Sequence, residues 1–191
     1  TYAGFLTMRA CEQVRTFVAY PHLNVKLYGI NAGVIGGERE GVTHQFYEDL
    51  GILSSIPGIT IFTPADGHQA YHACIEAAKI DGPVYIRGGS GREKDVYSPD
   101  ASFSLEGCTV WRDYGKEILL LGSGFILNRV IEAADLLHEE GIDVTMADIN
   151  ILYGQNNTRL LERMAEAKAI VTVEDHNING GLGSYMDRTE P

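Results

Sequence analysis

Short apolar runs alternate with segments of helical periodicity along most of this chain, and this alternation limits the possible folds more than any other feature. Runs typical of buried strands occupy residues 24–30, 59–62, 84–87, 117–121, 143–149 and 169–173. Helical patterns precede the first run and separate most of the others; in the first pattern, Leu6, Ala10, Val14 and Val18 recur every four residues before Pro21. Because strands that alternate with helices form parallel sheets with crossovers, we predict an α/β fold.

A polar connector at residues 92–116 divides this pattern into two parts. We predict two consecutive parallel-sheet units with helices on both faces, one over residues 1–105 and one over residues 106–191. The first residues run directly into a helical pattern, and the last follow a glycine-rich turn. We therefore expect the first unit to lack its N-terminal part and the second its C-terminal part.

The composition argues against several classes of protein. A formal net charge of -11 disfavours nucleic-acid binding, which requires a basic surface. The cysteines Cys11, Cys74 and Cys108 are widely spaced and odd in number, unlike a disulfide framework or a zinc site. No apolar run approaches the roughly 20 residues that span a membrane. We expect a cytoplasmic protein that binds neither nucleic acid nor membranes.

Polar residues collect after the strands of the first unit. In open parallel sheets, ligands bind beyond the carboxyl ends of the strands. The loop at 31–44, which ends in His44, and Arg87 with its following glycines both fall there. Each also has a structural interpretation: His44 as a surface or cap residue, and Arg87 as a salt-bridge partner. Thr63-Pro64-Ala65-Asp66 predicts a helix start, with Thr63 as the cap and Asp66 in the first turn.

The second unit carries a weaker motif, Gly122-Ser123-Gly124, immediately before a helix. A dinucleotide-binding loop has this beginning but requires a third glycine, which is not at the expected place here. Nucleotide binding at this position is therefore the less favoured interpretation.

Several motifs follow one another in a distinctive order. They are Tyr2-Ala3-Gly4-Phe5, Gly41-Val42-Thr43-His44-Gln45, Thr63-Pro64-Ala65-Asp66 and Asp81-Gly82-Pro83-Val84-Tyr85-Ile86-Arg87. This order resembles the pyrimidine-binding domain of transketolase, and most closely the C-terminal subunits of split transketolases. The run Glu174-Asp175-His176-Asn177-Ile178-Asn179-Gly180-Gly181 resembles the transketolase C-terminal domain. The resemblance extends to 1-deoxyxylulose-5-phosphate synthase and to beta subunits of 2-oxo-acid dehydrogenases.

This resemblance implies a thiamine-diphosphate enzyme that transfers a two-carbon ketol unit between sugar- or ketone-type substrates. The cofactor would lie between two chains. A transketolase N-terminal subunit or domain would hold its diphosphate and a Mg²⁺ or Ca²⁺ ion, so no metal ligand is assigned to this chain. The assembly would be an α2β2 heterotetramer or a homodimer. The family's catalytic glutamate would lie upstream of Thr1.

The resemblance also assigns roles to individual residues. Phe5 matches the aromatic residue that stacks on the aminopyrimidine, and Tyr2 matches a second aromatic beside it. His44 matches the histidine that faces the substrate, where an imidazole can exchange protons with hydroxyl groups. Arg87 matches an arginine used for the phosphate of the acceptor. Asn31 occupies a substrate-facing position at which many relatives have a histidine.

Three departures from the family pattern fall around the expected acceptor site. Asn31 cannot take up a proton, the loop at 36–41 differs from the usual Gly-Glu-Asp-Gly, and Ser90 replaces a second arginine. We therefore predict a donor or acceptor outside the standard pentose-phosphate set. Two alternatives remain open: a component that decarboxylates 2-oxo acids, and a protein that keeps the fold without the chemistry.

Overall fold

The computed structural model describes residues 1–153 and 158–189. Its first sheet contains four strands, namely Lys26–Gly29 (β1), Thr60–Phe62 (β2), Val84–Arg87 (β3) and, from late in the chain, Ile151–Tyr153 (β7). Their order is β1-β3-β2-β7, and β3 pairs in parallel with both β1 and β2. Every residue of β2 and β3 is buried, including Thr60 and Arg87, which explains why both strands are mostly apolar.

The helices of the first unit precede or connect these strands. A helical segment, α1, covers residues 5–19 and consists of the α-helical turn Cys11–Gln13 between the π-helical stretches Phe5–Arg9 and Val14–Ala19. The others are Gly33–Gly36 (α2), Asp49–Ser54 (α3) and Gly67–Lys79 (α4). The turn α2 lies in the loop predicted to carry the site.

The second sheet has the order β4-β6-β5-β8. Its strands are Cys108–Asp113 (β4), Ile118–Gly122 (β5), Thr145–Ile149 (β6) and Ala169–Val173 (β8). Its helices are Leu127–Glu139 (α5), Thr158–Glu166 (α6) and Leu182–Thr189 (α7). Within the described ranges, no helix is both long enough and apolar enough to cross a membrane.

The predicted α/β fold with mostly parallel sheets is confirmed, but each sheet has one antiparallel edge. β4 lies within the stretch predicted to be a connector and pairs antiparallel with β6. β7 follows the second unit's β6 directly and pairs antiparallel with β2 of the first sheet. The two units therefore share a strand connection, although the division near residue 105 stays a prediction.

The start of α4 differs from the predicted one by a few residues. Asp66 is the N-cap, and its Oδ1 accepts a hydrogen bond of 2.8 Å from the Gln69 amide. Thr63, predicted as the cap, instead donates its hydroxyl hydrogen to the Ile149 carbonyl at 3.0 Å. The Ser123 hydroxyl donates to Thr63 at 2.8 Å, so this residue joins the two units. Aspartate is a more strongly preferred N-cap residue than threonine. The Asp66 carboxylate also accepts a hydrogen bond from the Val96 amide, outside the helix.

A buried carboxyl group, Asp148, lies where the two units meet. Its Oδ2 accepts hydrogen bonds from Gln69 Nε2 at 3.1 Å and from the Tyr97 hydroxyl at 2.7 Å. Trp111 Nε1 in turn donates to the Tyr97 oxygen at 3.3 Å. Burial raises the pKa of Asp148 to about 7, although its two hydrogen bonds act in the opposite direction.

We expect the free energy of unfolding to fall as the pH rises through about 7 because of Asp148. An unfolded aspartate has a pKa of about 3.9, so between these values the folded state holds a proton that the unfolded state has released. The stabilisation is complete below about pH 4, and its loss between pH 5 and pH 8 amounts to at most about 2–3 kcal/mol. Urea unfolding at each pH, followed by the fluorescence of Trp111, the single tryptophan, measures this change in the free energy of unfolding.

The Asp148→Asn variant should show a smaller difference between pH 5 and pH 8 than the wild-type chain. The exposed Asp100, changed in the same way, is the control and should leave the difference unaltered. Equal pH dependence in Asp148→Asn and the wild type would contradict the assignment.

Candidate active site

Three of the predicted site residues form one aromatic cluster, defined here as Tyr2, Phe5 and His44. The ring centres lie 4.4 Å apart for Tyr2 and His44, 5.1 Å for Phe5 and His44, and 5.7 Å for Tyr2 and Phe5. All three contacts have the edge-to-face geometry that aromatic rings favour. Each residue is half-buried. The cluster is therefore packed on one side and accessible on the other.

Backbone pairing brings these distant parts of the sequence together. Tyr2 forms a parallel bridge with Ile30, directly after β1, and the Ala3 amide donates to the Ile30 carbonyl at 2.8 Å. The chain then returns in the loop at 31–44, where the His44 amide donates to the Gly41 carbonyl at 2.9 Å. Gly41 has a φ of +82°, which glycine adopts without strain. The cluster thus lies at the carboxyl edge of the first sheet, as predicted.

The surroundings of the cluster suit a planar ligand and proton exchange. The Arg9 guanidinium carbon lies 4.3 Å from the centre of the Phe5 ring, so a flat delocalised group already stacks there. The Thr43 hydroxyl contacts His44 Nδ1 at 2.8 Å. Among the described residues no hydrogen bond engages His44 Nε2, which leaves this nitrogen for a ligand.

Asn31 begins the loop that leads to His44. Its backbone has a φ of +55°, the left-handed conformation that asparagine tolerates better than most residues. Its backbone N–H donates to the Gly89 carbonyl at 3.0 Å, and its side-chain Nδ2 lies 3.5 Å from a carboxylate oxygen of Glu40. The predicted substrate contact of Asn31 stays a prediction.

Arg87 is at the end of β3 as expected, but its side chain turns into the interior and is only 2 % exposed. Arg87 Nε and Nη2 donate to the two carboxylate oxygens of Asp49 at 2.9 and 3.2 Å. Nη2 also donates to the Asp175 carbonyl at 2.8 Å. Burial by itself lowers the pKa of Arg87, but the charge and hydrogen bonding of Asp49, together with the charges of Tyr85 and Asp175, raise it overall. Of the two interpretations of Arg87, the structure contains the salt bridge. Phosphate binding by Arg87 stays a prediction, and it would require the guanidinium to leave Asp49.

Residues 175–177 of the second unit pack against the interior side of Arg87 and Asp49. The buried His176 side chain places Nε2 3.8 Å from Asp49 Oδ1. Burial, assisted by the nearby charge of Arg87, lowers the pKa of His176 and favours the neutral ring. The sequence pattern marked this segment through its resemblance but assigned it no role, and it did not single out Asp49 at all. A carboxylate in an otherwise apolar helix, such as Asp49 in α3, was the available signal.

This geometry defines an α/β protein with a half-buried aromatic cluster at the carboxyl edge of its first sheet. Family models described as "Transketolase, pyrimidine binding domain" and "Transketolase, C-terminal domain" match residues 1–90 and 107–186. The chain therefore belongs to the transketolase family.

Two curated relatives and one solved structure illustrate the similarity. A subunit of the apulose-4-phosphate transketolase of Actinobacillus succinogenes is 34% identical over 96% of this chain and 58% of its own length. The 6-deoxy-6-sulfo-D-fructose transketolase subunit SqwH of a Clostridium species is 32% identical over 96% of this chain and 56% of its own. The structure described as "Split gene transketolase, inactive beta4 tetramer" is 34% identical, with a TM-score of 0.84 over 100% of this chain and 62% of that one. The chain thus spans a little more than half the length of these relatives.

Proposed function

We propose that this chain supplies the aminopyrimidine-binding side of a thiamine-diphosphate site that transfers a two-carbon ketol unit. The observation that carries this proposal is the aromatic cluster, in which two rings and one imidazole converge at the carboxyl edge of a buried parallel sheet. Family membership supports the choice of cofactor. Thiamine diphosphate supplies the electron sink when it is bound, and the protein supplies orientation and proton exchange.

Each member of the cluster has a separate task in this proposal. Phe5 and Tyr2 bind the aminopyrimidine ring, since the Phe5 ring already accepts a planar guanidinium. His44 faces the substrate and exchanges a proton with one of its hydroxyl groups through Nε2, because Thr43 engages Nδ1.

A partner completes the site in this proposal. A transketolase N-terminal subunit or domain holds the diphosphate together with Mg²⁺ or Ca²⁺, and the assembly is an α2β2 heterotetramer or a homodimer. The similarity to one subunit of the apulose-4-phosphate transketolase and to a split-gene tetramer supports this arrangement. The family's catalytic glutamate is not assigned to any residue of this chain.

The substrate is proposed to lie outside the standard pentose-phosphate pair. Arginine side chains near the loop at 31–44 face carboxylates: Arg39 lies 3.9 Å and Arg92 3.3 Å from Glu38. The two relatives above carry the names of different substrates, apulose 4-phosphate and 6-deoxy-6-sulfofructose. A family that varies its substrate in this way accommodates the changes at Asn31, at residues 36–41 and at Ser90.

Mixing the chain with its diphosphate-binding partner tests the proposal. We expect ketol transfer that requires both proteins and thiamine diphosphate, measured over a panel of phosphorylated, sulfonated and unsubstituted sugars. Turnover of xylulose 5-phosphate with ribose 5-phosphate should be less than about one tenth of that of the best pair, since a lost hydrogen bond to a charged group costs about 1.5–3 kcal/mol and about 1.4 kcal/mol corresponds to a factor of ten.

Three other outcomes would contradict this. Full activity with the standard pair would contradict the substrate proposal. Release of carbon dioxide from pyruvate would favour the decarboxylating alternative. Complete assembly with bound cofactor but no turnover would favour a non-catalytic role.

A further inference from the structure

The Asp175 carboxylate of the second unit binds two backbone amides in the loop at 31–44 of the first unit. Asp175 follows β8 and is only 9 % exposed. Its Oδ1 accepts a hydrogen bond of 3.0 Å from the Val34 amide, and its Oδ2 accepts one of 2.9 Å from the Ile35 amide. Val34 and Ile35 are the second and third residues of α2, and the amides of a first helical turn have no partner within the helix. A charged acceptor at this position binds more strongly than a neutral one.

The same contact depends on a glycine. Gly33 has a φ of +78°, and a Cβ atom added there would collide with the Asp175 carboxylate. The position therefore excludes side chains for two reasons, conformation and space. This close approach lets Asp175 reach both amides at once.

Contacts within the loop connect the hydrogen bonds of Asp175 to the aromatic cluster. Gly33 and Phe46 form two backbone hydrogen bonds, with N···O distances of 2.6 and 3.2 Å. Gly37 packs directly against the His44 carbonyl, with no room for a Cβ. The position of α2 thus constrains the backbone at the His44 carbonyl and in the two residues that follow it. A displacement of α2 must move the imidazole or break these contacts.

Hydrogen bonds to Arg87 and to Tyr47 hold the segment that carries Asp175 in place. The Asp175 carbonyl accepts from buried Arg87 at 2.8 Å. The Asn177 amide and side chain both donate to the Tyr47 carbonyl, at 3.1 and 2.8 Å. Because these anchors hold the segment to β3 and to the residues after His44, the Asp175 carboxylate is a fixed reference for the loop.

We propose that Asp175 is a positioning residue for the active site, which acts through the Val34 and Ile35 amides on His44. The inference rests on the proposed function for its effect on turnover, but its structural part can be tested without activity. The second unit, in this view, holds the substrate-facing loop in its productive geometry. A rigid second layer of contacts is what allows a catalytic group to be placed within a fraction of an ångström.

The test compares Asp175→Asn with the wild-type chain in the assembled enzyme. We expect at least about tenfold faster hydrogen exchange at the Val34 and Ile35 amides, because one of the two bonds loses its acceptor. The ring resonances of His44 should shift in NMR spectra. With the substrates that the proposal predicts, kcat/KM should fall about tenfold, and the thiamine diphosphate concentration for half-activation should change less than twofold.

Two further variants make the test specific. Glu174→Gln is the matched control, since the adjacent Glu174 carboxylate accepts from the Leu182 and Gly183 amides at the start of α7. It should speed exchange in α7 and leave the loop, the His44 resonances and turnover unchanged. Gly33→Ala places a methyl group against the Asp175 carboxylate, so it should displace the same contact and reproduce the changes of Asp175→Asn.

The outcomes separate this inference from the proposed function. Unchanged exchange at Val34 and Ile35, or unchanged His44 resonances, would overturn the positioning role whether or not the assembly is active. A loosened loop with wild-type kcat/KM would overturn it as well. Absence of ketol transfer by the wild-type assembly, with the exchange and resonance changes present, would overturn the proposed reaction and support the positioning role.

Discussion

Replacing His44 by asparagine is expected to lower kcat/KM for ketol transfer by about 10²–10⁴-fold, the usual contribution of a positioned acid or base. Asparagine retains a polar side chain of similar size but cannot exchange a proton. The imidazole packs against Tyr2 and Phe5 at 4.4 and 5.1 Å, and its Nδ1 contacts the Thr43 hydroxyl at 2.8 Å. Steady-state kinetics of the assembled enzyme, with saturating thiamine diphosphate, measure the effect.

A second histidine provides the control for this experiment. His72 lies on α4, outside the aromatic cluster, and its ring nitrogen contacts the Pro99 carbonyl at 2.8 Å. His72→Asn should therefore keep kcat/KM within twofold of the wild type. Circular dichroism should show that both variants remain folded. If His44→Asn retained more than about one fifth of the activity, His44 would not be the proton-exchanging group of the proposed site.

Replacing Arg87 by methionine is expected to lower the free energy of unfolding by about 3–5 kcal/mol, because it leaves a buried carboxylate without its counterion. The Asp49 side chain is 0% exposed and accepts from Arg87 Nε, Arg87 Nη2 and the Tyr85 hydroxyl. The methionine fills much of the same volume, so the loss reports the charge rather than a cavity. Urea unfolding of the purified chain, followed by circular dichroism, measures it.

Three further variants show whether the buried pair is the cause. Arg87→Lys should recover only part of the loss, since an ammonium group cannot donate to both carboxylate oxygens in the same plane. The double variant Arg87→Met, Asp49→Leu should be more stable than the sum of its single changes predicts. Lys94→Met, which breaks an exposed ion pair with Glu132, should cost less than about 1 kcal/mol. A loss of that small size in Arg87→Met would mean that Asp49 is solvated.

The architecture was predictable from local patterns to a large extent. The parallel strands β1, β2, β3, β5, β6 and β8 all coincide with predicted apolar runs. The antiparallel edges were not predicted, because β4 is half-buried along most of its length and only one residue separates β7 from β6. An edge strand is stabilised by its neighbour, and the sequence of the strand itself carries little record of that.

The candidate site divides in the same way. Residue types and spacing along the chain, read together with the family resemblance, were enough to single out Tyr2, Phe5 and His44, because each lies in a short local motif next to a strand end. The partners of Arg87 could not be inferred, since Asp49 and Asp175 lie 38 and 88 positions away from it. Hydrogen bonds and ion pairs form between side chains that the folded backbone brings within about 3 Å, and local sequence does not encode which pairs these are. The tertiary structure alone therefore decided that Arg87 is paired with buried Asp49 and that Asp175 accepts from the Val34 and Ile35 amides.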